Sequence, residues 1–407
     1  MKFSDLRLLQ PVVQENIKAL GFNRPTDIQF KAIPHILEGE DIMAIAQTGT
    51  GKTAAFAIPA VSNLMRRPRR FGYRGVRCVV MEPTHELAAQ VAGVIKQLAK
   101  GSDLCVVAIH GGVDQDNQIA LLKGAADIIV ATPGRLFDLA SQGHLILSQA
   151  EMLVVDEADH MLALGFYDDI AQLVRKIPRR RQTLFFSATI DAKIKELAYS
   201  LVYKAVRIEM SQNKVAKNVT HQVLGVAMDE KRFFLERIVR ENPEAHIIVF
   251  VRTQVRAERV QAAMKRVGIE SVHLHGGMSQ PERNKALDDF RGSVVRILIT
   301  TDVAARGIDI PAVDYVVNYD VPEKPENYVH RVGRTGRGMA KGYALTLADP
   351  GERNLIDAIE KYMGEAISIL RMDKQEREAT KDLSEDGEND WRSLINDDEP
   401  KGRKKRR

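Results

Sequence analysis

The segment 46–53, with the sequence AQTGTGKT, carries residue types suited to holding a polyphosphate. It lies between two short apolar runs, which predicts a strand, a tight loop and a helix. Its two glycines allow backbone N–H groups to turn towards phosphate oxygens at the positive end of that helix. Lys52 is then placed to reach the terminal phosphates, and the Thr53 hydroxyl to ligate magnesium. Because Ala46 stands where this pattern usually has glycine, a glycine-rich turn without a nucleotide is the alternative.

A second informative segment is the acidic sequence DEAD at 156–159, which follows the apolar run 152–155. Carboxylates at the carboxyl end of a buried strand lie where open α/β sheets bind their ligands. One carboxylate can hold hydrated magnesium, and its neighbour can deprotonate a water aimed at a γ-phosphate. The alternative is an acidic first turn of a helix over 157–164 that only complements the helix dipole. Together with the upstream loop, the order of these residues favours nucleotide hydrolysis.

The elements that must position these residues form two similar series. Short buried strands alternate with longer helical patterns, which predicts an α/β fold with parallel sheets flanked by helices. IHGGV at 109–113 returns as LHGGM at 274–278, and each is followed by a helical pattern and a strand that ends in threonine. A duplicated α/β unit is the simplest explanation. The strand-like runs after the phosphate loop are 77–81, 104–109, 127–131, 152–155, 183–186, 246–251, 271–274, 296–300, 315–319 and 343–347.

The chain of 407 residues is long enough for two or three domains. The polar segment 207–222 lacks helical periodicity, and we expect it to separate an N-terminal domain, 1–208, from a C-terminal domain, 209–372. Only the first half carries a phosphate loop, so we expect a nucleotide site that the second half completes. The apolar pattern fades after about residue 372, and 373–407 is predicted to be a disordered charged tail.

Composition narrows the class of protein. A hydrophobic content of 44% and a charged content of 28% are ordinary for soluble globular proteins. No apolar stretch approaches the roughly 18 residues of a membrane span, and Asp5 and Arg7 interrupt any secretory signal. Cys78 and Cys105 lie in apolar runs and are expected to be core residues. We therefore expect a cytoplasmic protein with no membrane partner.

The net charge of +5 is distributed unevenly. Residues 401–407 hold six cations, whereas 382–399 hold eight acidic residues and one arginine. Such a basic terminus suits a phosphate backbone and predicts salt-sensitive binding. A solubilising tail with no dedicated partner is the alternative.

Further short motifs occur in a fixed order along both halves. They are GFNRPTDIQ at 21–29 with Phe3 upstream, PTHELAAQ at 83–90, TPGR at 132–135, SAT at 187–189, IVFVRT at 248–253, TDVAARGID at 301–309 and HRVGRTGR at 330–337.

Across about residues 1–370 the set, order and spacing of these motifs resemble the DEAD-box RNA helicases, with 3–29 as the Q motif. The short C-terminal extension is most similar to the bacterial RhlE-like members. The resemblance implies two tandem RecA-like domains that close on ATP, Mg²⁺ and single-stranded RNA. It implies an RNA-stimulated ATP hydrolase that unwinds short duplexes or remodels RNA–protein complexes. It also implies a monomer, with ribonucleoprotein or RNA-decay partners.

The resemblance assigns hydrolysis to residues from both domains. Asp156 and Thr53 would hold the metal, and Glu157 would act on the attacking water. Arg334 and Arg337 would reach the γ-phosphate from the second domain, where a planar, permanently charged fork matches phosphate oxygens. The implied nucleotide-binding set is Phe22, Arg24, Gln29, Ala46, Gln47, Thr48, Gly49, Thr50, Gly51, Lys52, Thr53 and Asp309.

Within that set Gln29 would read adenine, since a side-chain amide offers a donor and an acceptor together. Phe22 would lie against the base, with a core position under the loop as the alternative, and Asp309 would contact the ribose. Coupling between the nucleotide and domain movement would involve Ser187, Thr189, Asp159 and His330.

The RNA surface implied by the family is rich in glycine, hydroxyl and arginine positions. Such contacts favour phosphate and sugar over base edges, which predicts sequence-independent binding with RNA chosen through its 2′-OH groups. The residues are Pro83, Thr84, Gly112, Thr132 and Arg135 in the first domain and Thr253, Gly276, Arg283 and Thr301 in the second.

Two positions depart from the family pattern. His85 stands where PTRELA has arginine, which removes a permanent cation near the implied RNA path. Asp27 replaces a proline of the Q motif, while Gln29 is retained.

Two other functions use similar residues. A DNA-directed helicase shares the paired-domain scaffold, although the Gln29 segment and the DEAD form of the acidic motif argue against it. An ATP-gated RNA clamp or annealing factor uses the same residues as an unwinding enzyme.

Overall fold

The computed structural model describes residues 2–47, 49–67, 69, 75–123, 126–210, 218–305, 308, 310, 313–336, 341–382 and 384. The chain divides into two compact units, Met1–Asn213 with Arg306–Asp309 and Lys214–Ala305 with Ile310–Arg407. No helix within the described residues is both long and apolar enough to cross a bilayer.

Unit 1 is built on a parallel sheet of seven strands. All of these strands except the last in the chain are largely apolar and buried, because both faces of the sheet are covered. The strand order is β3-β4-β2-β5-β6-β1-β7. The strands are β1 (Ile42–Ile45), β2 (Cys78–Met81), β3 (Val106–Ile109), β4 (Ile128–Ala131), β5 (Met152–Val155), β6 (Gln182–Ser187) and β7 (Val206–Glu209).

Helices cover both faces of this sheet. One buried cluster joins alternate strand residues to α1 to α4, and a second joins the remaining strand residues to α6 to α9. The helices are α1 (Pro11–Ala19), α2 (Asp27–Glu38), α3 (Lys52–Arg66), α4 (His85–Leu98), α5 (Gln115–Leu122), α6 (Pro133–Ser141), α7 (Ala158–Ala163), α8 (Tyr167–Val174) and α9 (Ala192–Leu201).

Unit 2 repeats the plan with a second parallel sheet in the order β10-β11-β9-β12-β13-β8-β14. Its strands are β8 (Val219–Gly225), β9 (Ile247–Val251), β10 (Val272–Leu274), β11 (Ile297–Thr301), β12 (Tyr315–Asn318), β13 (Gly342–Ala348) and β14 (Ser368–Leu370). Its helices are α10 (Lys231–Glu241), α11 (Gln254–Arg266), α12 (Gln280–Arg291), α13 (Asp302–Ala305), α14 (Pro325–Val332), α15 (Arg353–Met363) and α16 (Lys374–Asp382).

The two strand orders are the same once seven is subtracted from each label of unit 2. The duplication predicted from the HGG repeat is therefore confirmed in topology. Every strand-like run predicted from the sequence forms a strand, with ends that differ by at most two residues. Phe3, the first residue of the Q motif, is buried in the core of unit 1.

The polar segment 207–222, where the sequence predicts the boundary between the domains, is structured at both ends. Its two ends belong to β7 and β8, and residues 211–217 lie outside the described residues. β7 pairs only with β1 and has two exposed residues, Arg207 and Glu209, so it shows no apolar run. β14 was missed for the same reason, as two of its three residues are exposed.

Residues 373–407 also differ in part from their prediction, since the structure forms α16 there. This helix is attached by polar contacts that a hydrophobic pattern cannot reveal. The Arg237 guanidinium donates to Thr380 Oγ1 at 2.9 Å, and Ser384 Oγ donates to Glu236 Oε2 at 2.6 Å. Residues 383 and 385–407, with most of the predicted tail, lie outside the described residues.

Candidate functional site

The carboxyl edge of the unit 1 sheet gathers the sequence-predicted residues into two adjacent groups. The neighbouring strands β5, β6 and β1 end at the DEAD segment, the SAT segment and the phosphate loop. The strands β3, β4 and β2 end at the glycine, TPGR and PTHELAAQ segments. A parallel sheet places all of these ends on one side, where ligands of doubly wound folds bind.

The phosphate loop connects β1 to α3 and is held by short-range hydrogen bonds. The backbone N–H of Ala46 donates to the Ser187 carbonyl at 2.9 Å, and Thr50 Oγ1 donates to the Gln47 carbonyl at 2.8 Å. Gly49 and Gly51 have φ values of 82° and 92°, which a side chain would make unfavourable. The loop thus ends directly at the N-terminus of α3, a favourable position for an anion. Thr48 lies outside the described residues.

Lys52 is the first residue of α3 and is 5% exposed. Its Nζ has no hydrogen-bond partner within the described part of the chain and lies 4.0 Å from Asp156 Oδ1. Burial lowers the pKa of Lys52, but the surrounding carboxylates, Asp156 foremost, raise it by more. A buried ammonium group without hydrogen bonds is costly, so the site suits an anionic ligand such as a phosphate.

Asp156 and Glu157 follow β5 directly. Burial raises the pKa of Asp156 to about 6, against the opposing effect of Lys52. The backbone N–H of Glu157 donates to Asp156 Oδ1 at 2.8 Å. Glu157 itself adopts φ 46°, a left-handed conformation that costs a non-glycine residue about 1 kcal/mol. Backbone strain of this kind is typical of functional positions. The left-handed conformation sets the direction in which the Glu157 side chain leaves the backbone.

The donor set near α3 fits magnesium. Mg²⁺ prefers hard oxygen ligands, and the Asp156 carboxylate and the half-buried Thr53 hydroxyl are both of this kind. Sequence reasoning missed one further carboxylate, that of Glu82, which is fully buried at the end of β2. Burial raises the pKa of Glu82 well above its ordinary value, and Asp156 and Glu157 add to this effect. Its place beside PTHELAAQ was visible in the sequence, but its neighbours across the sheet were not.

Gln29 lies against the phosphate loop. Its Oε1 accepts from the Thr26 backbone N–H at 3.0 Å as part of a helix cap, and its Nε2 donates to the Gly51 carbonyl at 3.1 Å. One amide hydrogen and one lone pair are left for a base. Phe22 is half-buried and packs against the core of unit 1, and Arg24 is exposed.

The coupling residues of unit 1 meet at the end of β6. Asp159 accepts from the Ala188 backbone N–H at 3.3 Å and from Thr189 Oγ1 at 3.4 Å. The Ser187 hydroxyl is fully buried and has no partner within the described residues. The DEAD and SAT segments are therefore connected directly. His330 is half-buried on α14 of unit 2.

Arg334 of unit 2 is 7% exposed just after α14. Arg337 and Asp309 lie outside the described residues. Sequence reasoning did not single out Arg331 of the same motif. Its Nε donates to Asp302 Oδ1 at 2.6 Å, and its Nη2 donates to Asp302 Oδ2 at 2.9 Å. This bidentate pair ties α14 to the segment that follows β11 and so positions Arg334.

The predicted RNA residues of unit 1 follow β2, β3 and β4. Thr84 caps α4 by accepting from the Leu87 backbone N–H at 3.3 Å, and Thr132 is the N-cap residue of α6. Gly112 is exposed with φ 72°. Arg135 donates to Gln118 Oε1 at 3.0 Å. Pro83 is buried immediately before Thr84.

The predicted RNA residues of unit 2 occupy the matching strand ends, at β9, β10 and β11. Thr253 caps α11 by accepting from the Arg256 backbone N–H at 3.2 Å, as Thr84 caps α4. Gly276 is exposed after β10, and the Arg283 guanidinium donates to the His275 carbonyl at 3.2 Å. Thr301 is buried at the end of β11. The two units therefore present the same kinds of side chain at equivalent places.

His85 stacks on His110, with ring centroids 5.3 Å apart, directly beside the glycine pair. A side chain at Gly111 would approach His85 Nε2 to 3.1 Å. The departure from the family pattern therefore lies within the group of predicted RNA residues.

Parallel sheets that present a phosphate loop and strand-end carboxylates at one edge define a nucleotide-binding α/β protein. The sequence profile of the DEAD/DEAH box helicases matches residues 26–197, and that of the helicase conserved C-terminal domain matches residues 230–339. The ATP-dependent RNA helicase RhlB of Erwinia tasmaniensis is 38% identical over 91% of this chain and 87% of its own. With matches to both halves and this coverage, the chain belongs to the DEAD-box RNA helicase family.

Other relatives and solved structures agree. The ATP-dependent RNA helicase DBP3 of Meyerozyma guilliermondii is 40% identical over 83% of this chain, which spans 63% of that relative. The structure of S. cerevisiae Dbp5 bound to RNA and ADP BeF3 is 31% identical, covers 94% of this chain and 99% of its own, and has a TM-score of 0.82. Mss116p bound to ssRNA and AMP-PNP is 26% identical over 96% of this chain and 82% of its own, also with a TM-score of 0.82. Both units are RecA-like domains, as the sequence predicted.

Proposed function

We propose that this protein is an RNA-stimulated ATPase that uses ATP to unwind short RNA duplexes or to remodel RNA–protein complexes. The observation that carries the proposal is the two-part carboxyl edge of unit 1. A phosphate loop, whose buried lysine has no hydrogen-bond partner in the described residues, lies beside strand ends that carry glycine, hydroxyl and arginine side chains. Within the described residues, unit 2 has counterparts of the strand ends that carry glycine, hydroxyl and arginine side chains, but it has no counterpart of the phosphate loop. One ATP site with two RNA-facing surfaces is the simplest use of that pattern.

Each residue near the loop has a proposed task. Lys52 binds the β- and γ-phosphates, Thr53 and Asp156 hold magnesium, and Glu157 accepts the proton of the attacking water. Bound magnesium would offset the charge of the phosphates. Gln29 uses its remaining donor and acceptor to select adenine, beside Phe22.

We propose that Arg334 and Arg337 of unit 2 act on the γ-phosphate and that Asp309 contacts the ribose. Phosphoryl transfer depends mainly on positioning and charge stabilisation, so arginines from a second domain would link hydrolysis to closure. Asp159, which holds the SAT segment, is placed to pass the state of the γ-phosphate to β6.

The finer assignment is to the RhlE-like bacterial group, with a monomeric, cytoplasmic protein and ribonucleoprotein or RNA-decay partners. The basic segment 401–407 would add salt-sensitive RNA contacts.

ATP turnover in the presence of RNA or DNA of matched length and sequence tests the proposal. Contacts to phosphate and 2′-OH groups predict strong stimulation by RNA of unrelated sequences and weak stimulation by DNA. Equal stimulation by both polymers would instead support a DNA-directed helicase.

A further inference from the structure

The strongest unexplained feature outside the assigned residues is Glu82. Its side chain is fully buried, and neither carboxylate oxygen has a hydrogen-bond partner in the described part of the chain. A buried carboxylate without partners is costly unless a cation or a donor meets it. The fully buried carboxylate of Asp320, by contrast, has such a partner, since it is paired with Arg256.

The strand register places Glu82 beside Asp156. β2 and β5 are parallel neighbours in which Met81 pairs with Val155, and the Asp156 backbone N–H donates to the Met81 carbonyl at 3.1 Å. The next residues along each strand are Glu82 and Asp156. Adjacent parallel strands are about 4.8 Å apart, so the two side chains start as close neighbours.

Both side chains also point towards α3. Val80 and Val154 belong to the core cluster that packs against α3, and side chains on a strand alternate with a period of two. Glu82 and Asp156 therefore continue on that face, where α3 begins with Lys52. The charge of Lys52 lowers the pKa of Glu82, whereas burial, Asp156 and Glu157 raise it.

The duplicated fold supplies an internal comparison. Thr84 and Thr253 are equivalent helix caps, so Glu82 corresponds to Val251, two residues before the second cap. In unit 2 the neighbour across the strands is Tyr319, which follows the pair Phe250 and Asn318. Val251 and Tyr319 are both buried. The fold therefore fills this position with an apolar pair where no phosphate loop exists, and a carboxylate is not needed for folding.

We propose that Glu82 belongs, with Asp156, to the carboxylate set that holds the nucleotide-bound magnesium ion and its water molecules. The inference rests on the proposed ATPase function and adds a residue outside its motifs. Hard oxygen ligands suit Mg²⁺, which keeps several waters and needs acceptors for them. Glu82 acts in the metal's coordination environment, and Glu157 keeps its separate role towards the attacking water.

The test is the effect of magnesium on nucleotide affinity in the full-length protein. A fluorescent ADP analogue is titrated with saturating Mg²⁺ and with excess EDTA, for wild type, Glu82→Gln and Asp103→Asn. Asp103 is exposed before β3, at the opposite end of the sheet, and its substitution is a matched loss of one carboxylate. Loss of an outer ligand typically weakens metal binding 10- to 100-fold.

We expect Glu82→Gln to reduce the gain in affinity from Mg²⁺ by about tenfold or more, while affinity in EDTA is equal or tighter. Its melting temperature in EDTA should not fall, because the replaced carboxyl group has no hydrogen-bond partner in the described residues. Mg²⁺-ADP should raise that melting temperature less than it raises the melting temperature of wild type. Glu82→Met is measured in parallel, so that misfolding of one variant does not decide the outcome. Asp103→Asn should match wild type throughout.

If Mg²⁺ increases ADP affinity as much in both Glu82 variants as in wild type, the inference is overturned. If this gain is unchanged and the melting temperature is lower, Glu82 has a structural role, which also overturns the inference. If the wild-type protein shows no gain from Mg²⁺, the proposed ATPase function fails instead. Electron paramagnetic resonance of Mn²⁺ in the ADP complex gives a direct readout, and weaker Mn²⁺ binding in Glu82→Gln is required.

Discussion

At the scale of single residues, the proposed hydrolysis depends on Glu157, which is held in a strained backbone conformation at the end of β5. Its carboxylate is the proposed base for the attacking water. Glu157→Gln keeps the shape of the side chain but cannot accept a proton. We expect ATP and RNA affinities close to wild type and a turnover lower by roughly 10²- to 10⁴-fold.

Single-turnover and steady-state ATPase assays measure this effect, with nucleotide and RNA affinities determined on the same preparation. Turnover like that of wild type in a folded Glu157→Gln protein would refute the role of Glu157.

Two glycines offer a matched pair for testing the phosphate loop. Gly51 and Gly39 both have φ 92°, so alanine strains the backbone equally, by about 1 kcal/mol. At Gly39 a Cβ meets nothing within 4 Å, whereas at Gly51 it would lie 2.5 Å from Gln29 Nε2. We expect Gly39→Ala to retain nucleotide affinity and Gly51→Ala to lose at least about tenfold, equivalent to about 1.4 kcal/mol.

Thermal melting of both variants measures the effect of backbone strain on stability. Nucleotide titration measures the effect of the contact between a Cβ at position 51 and Gln29. Equal nucleotide affinities in the two variants would show that the contact between Gln29 and the loop is not required.

At the scale of elements, the helix caps at Thr84 and Thr253 occupy equivalent strand ends in the two units. Each side-chain oxygen accepts from a backbone N–H, which leaves its hydroxyl hydrogen to donate to a phosphate or sugar oxygen. Alanine at either position should cost about 1 kcal/mol of stability. It should also weaken RNA binding about fivefold, the value of one hydrogen bond of about 1 kcal/mol.

Asp191→Ala is the control, since Asp191 caps α9 by accepting from the Ile194 backbone N–H at 2.8 Å, after a strand outside the RNA group. It should lose similar stability without a change in RNA affinity. Serine at Thr84 or Thr253 should preserve both properties. If all three alanine variants bind RNA equally well, the hydroxyls are only caps.

The extent to which these elements could be predicted depended on their burial. Strands covered on both faces, such as β5 and β11, appear in the sequence as continuous apolar runs. β7 at a sheet edge and α16 with its polar attachments carry no such signal. Among site residues, motif spacing located Lys52 and Asp156, but Glu82 became visible only through the register of β2 with β5.

At the scale of the whole molecule, the proposed site requires both units, since the arginines belong to the second. Arg334→Lys keeps the charge but loses the bidentate geometry. We expect turnover to fall on the order of 10³-fold, the effect of a lost arginine finger. Affinity for ATP should change little, because the phosphate loop lies in unit 1.

Arg353→Lys, at an exposed position of α15 in unit 2, is the control and should retain activity. Melting temperatures show whether the buried Arg334 also supports the fold. Full turnover in Arg334→Lys would mean that hydrolysis does not use this arginine.

The central claim is that ATP use by this chain separates RNA strands, and strand displacement on a short RNA duplex with a single-stranded extension measures this directly. The full-length protein is assayed with ATP, with a non-hydrolysable analogue, and on a DNA duplex of the same sequence. We predict ATP-dependent displacement of the RNA duplex that Glu157→Gln cannot sustain over repeated cycles, and little displacement of DNA. Tight ATP-dependent binding of RNA with no strand separation would contradict the account and identify an RNA clamp.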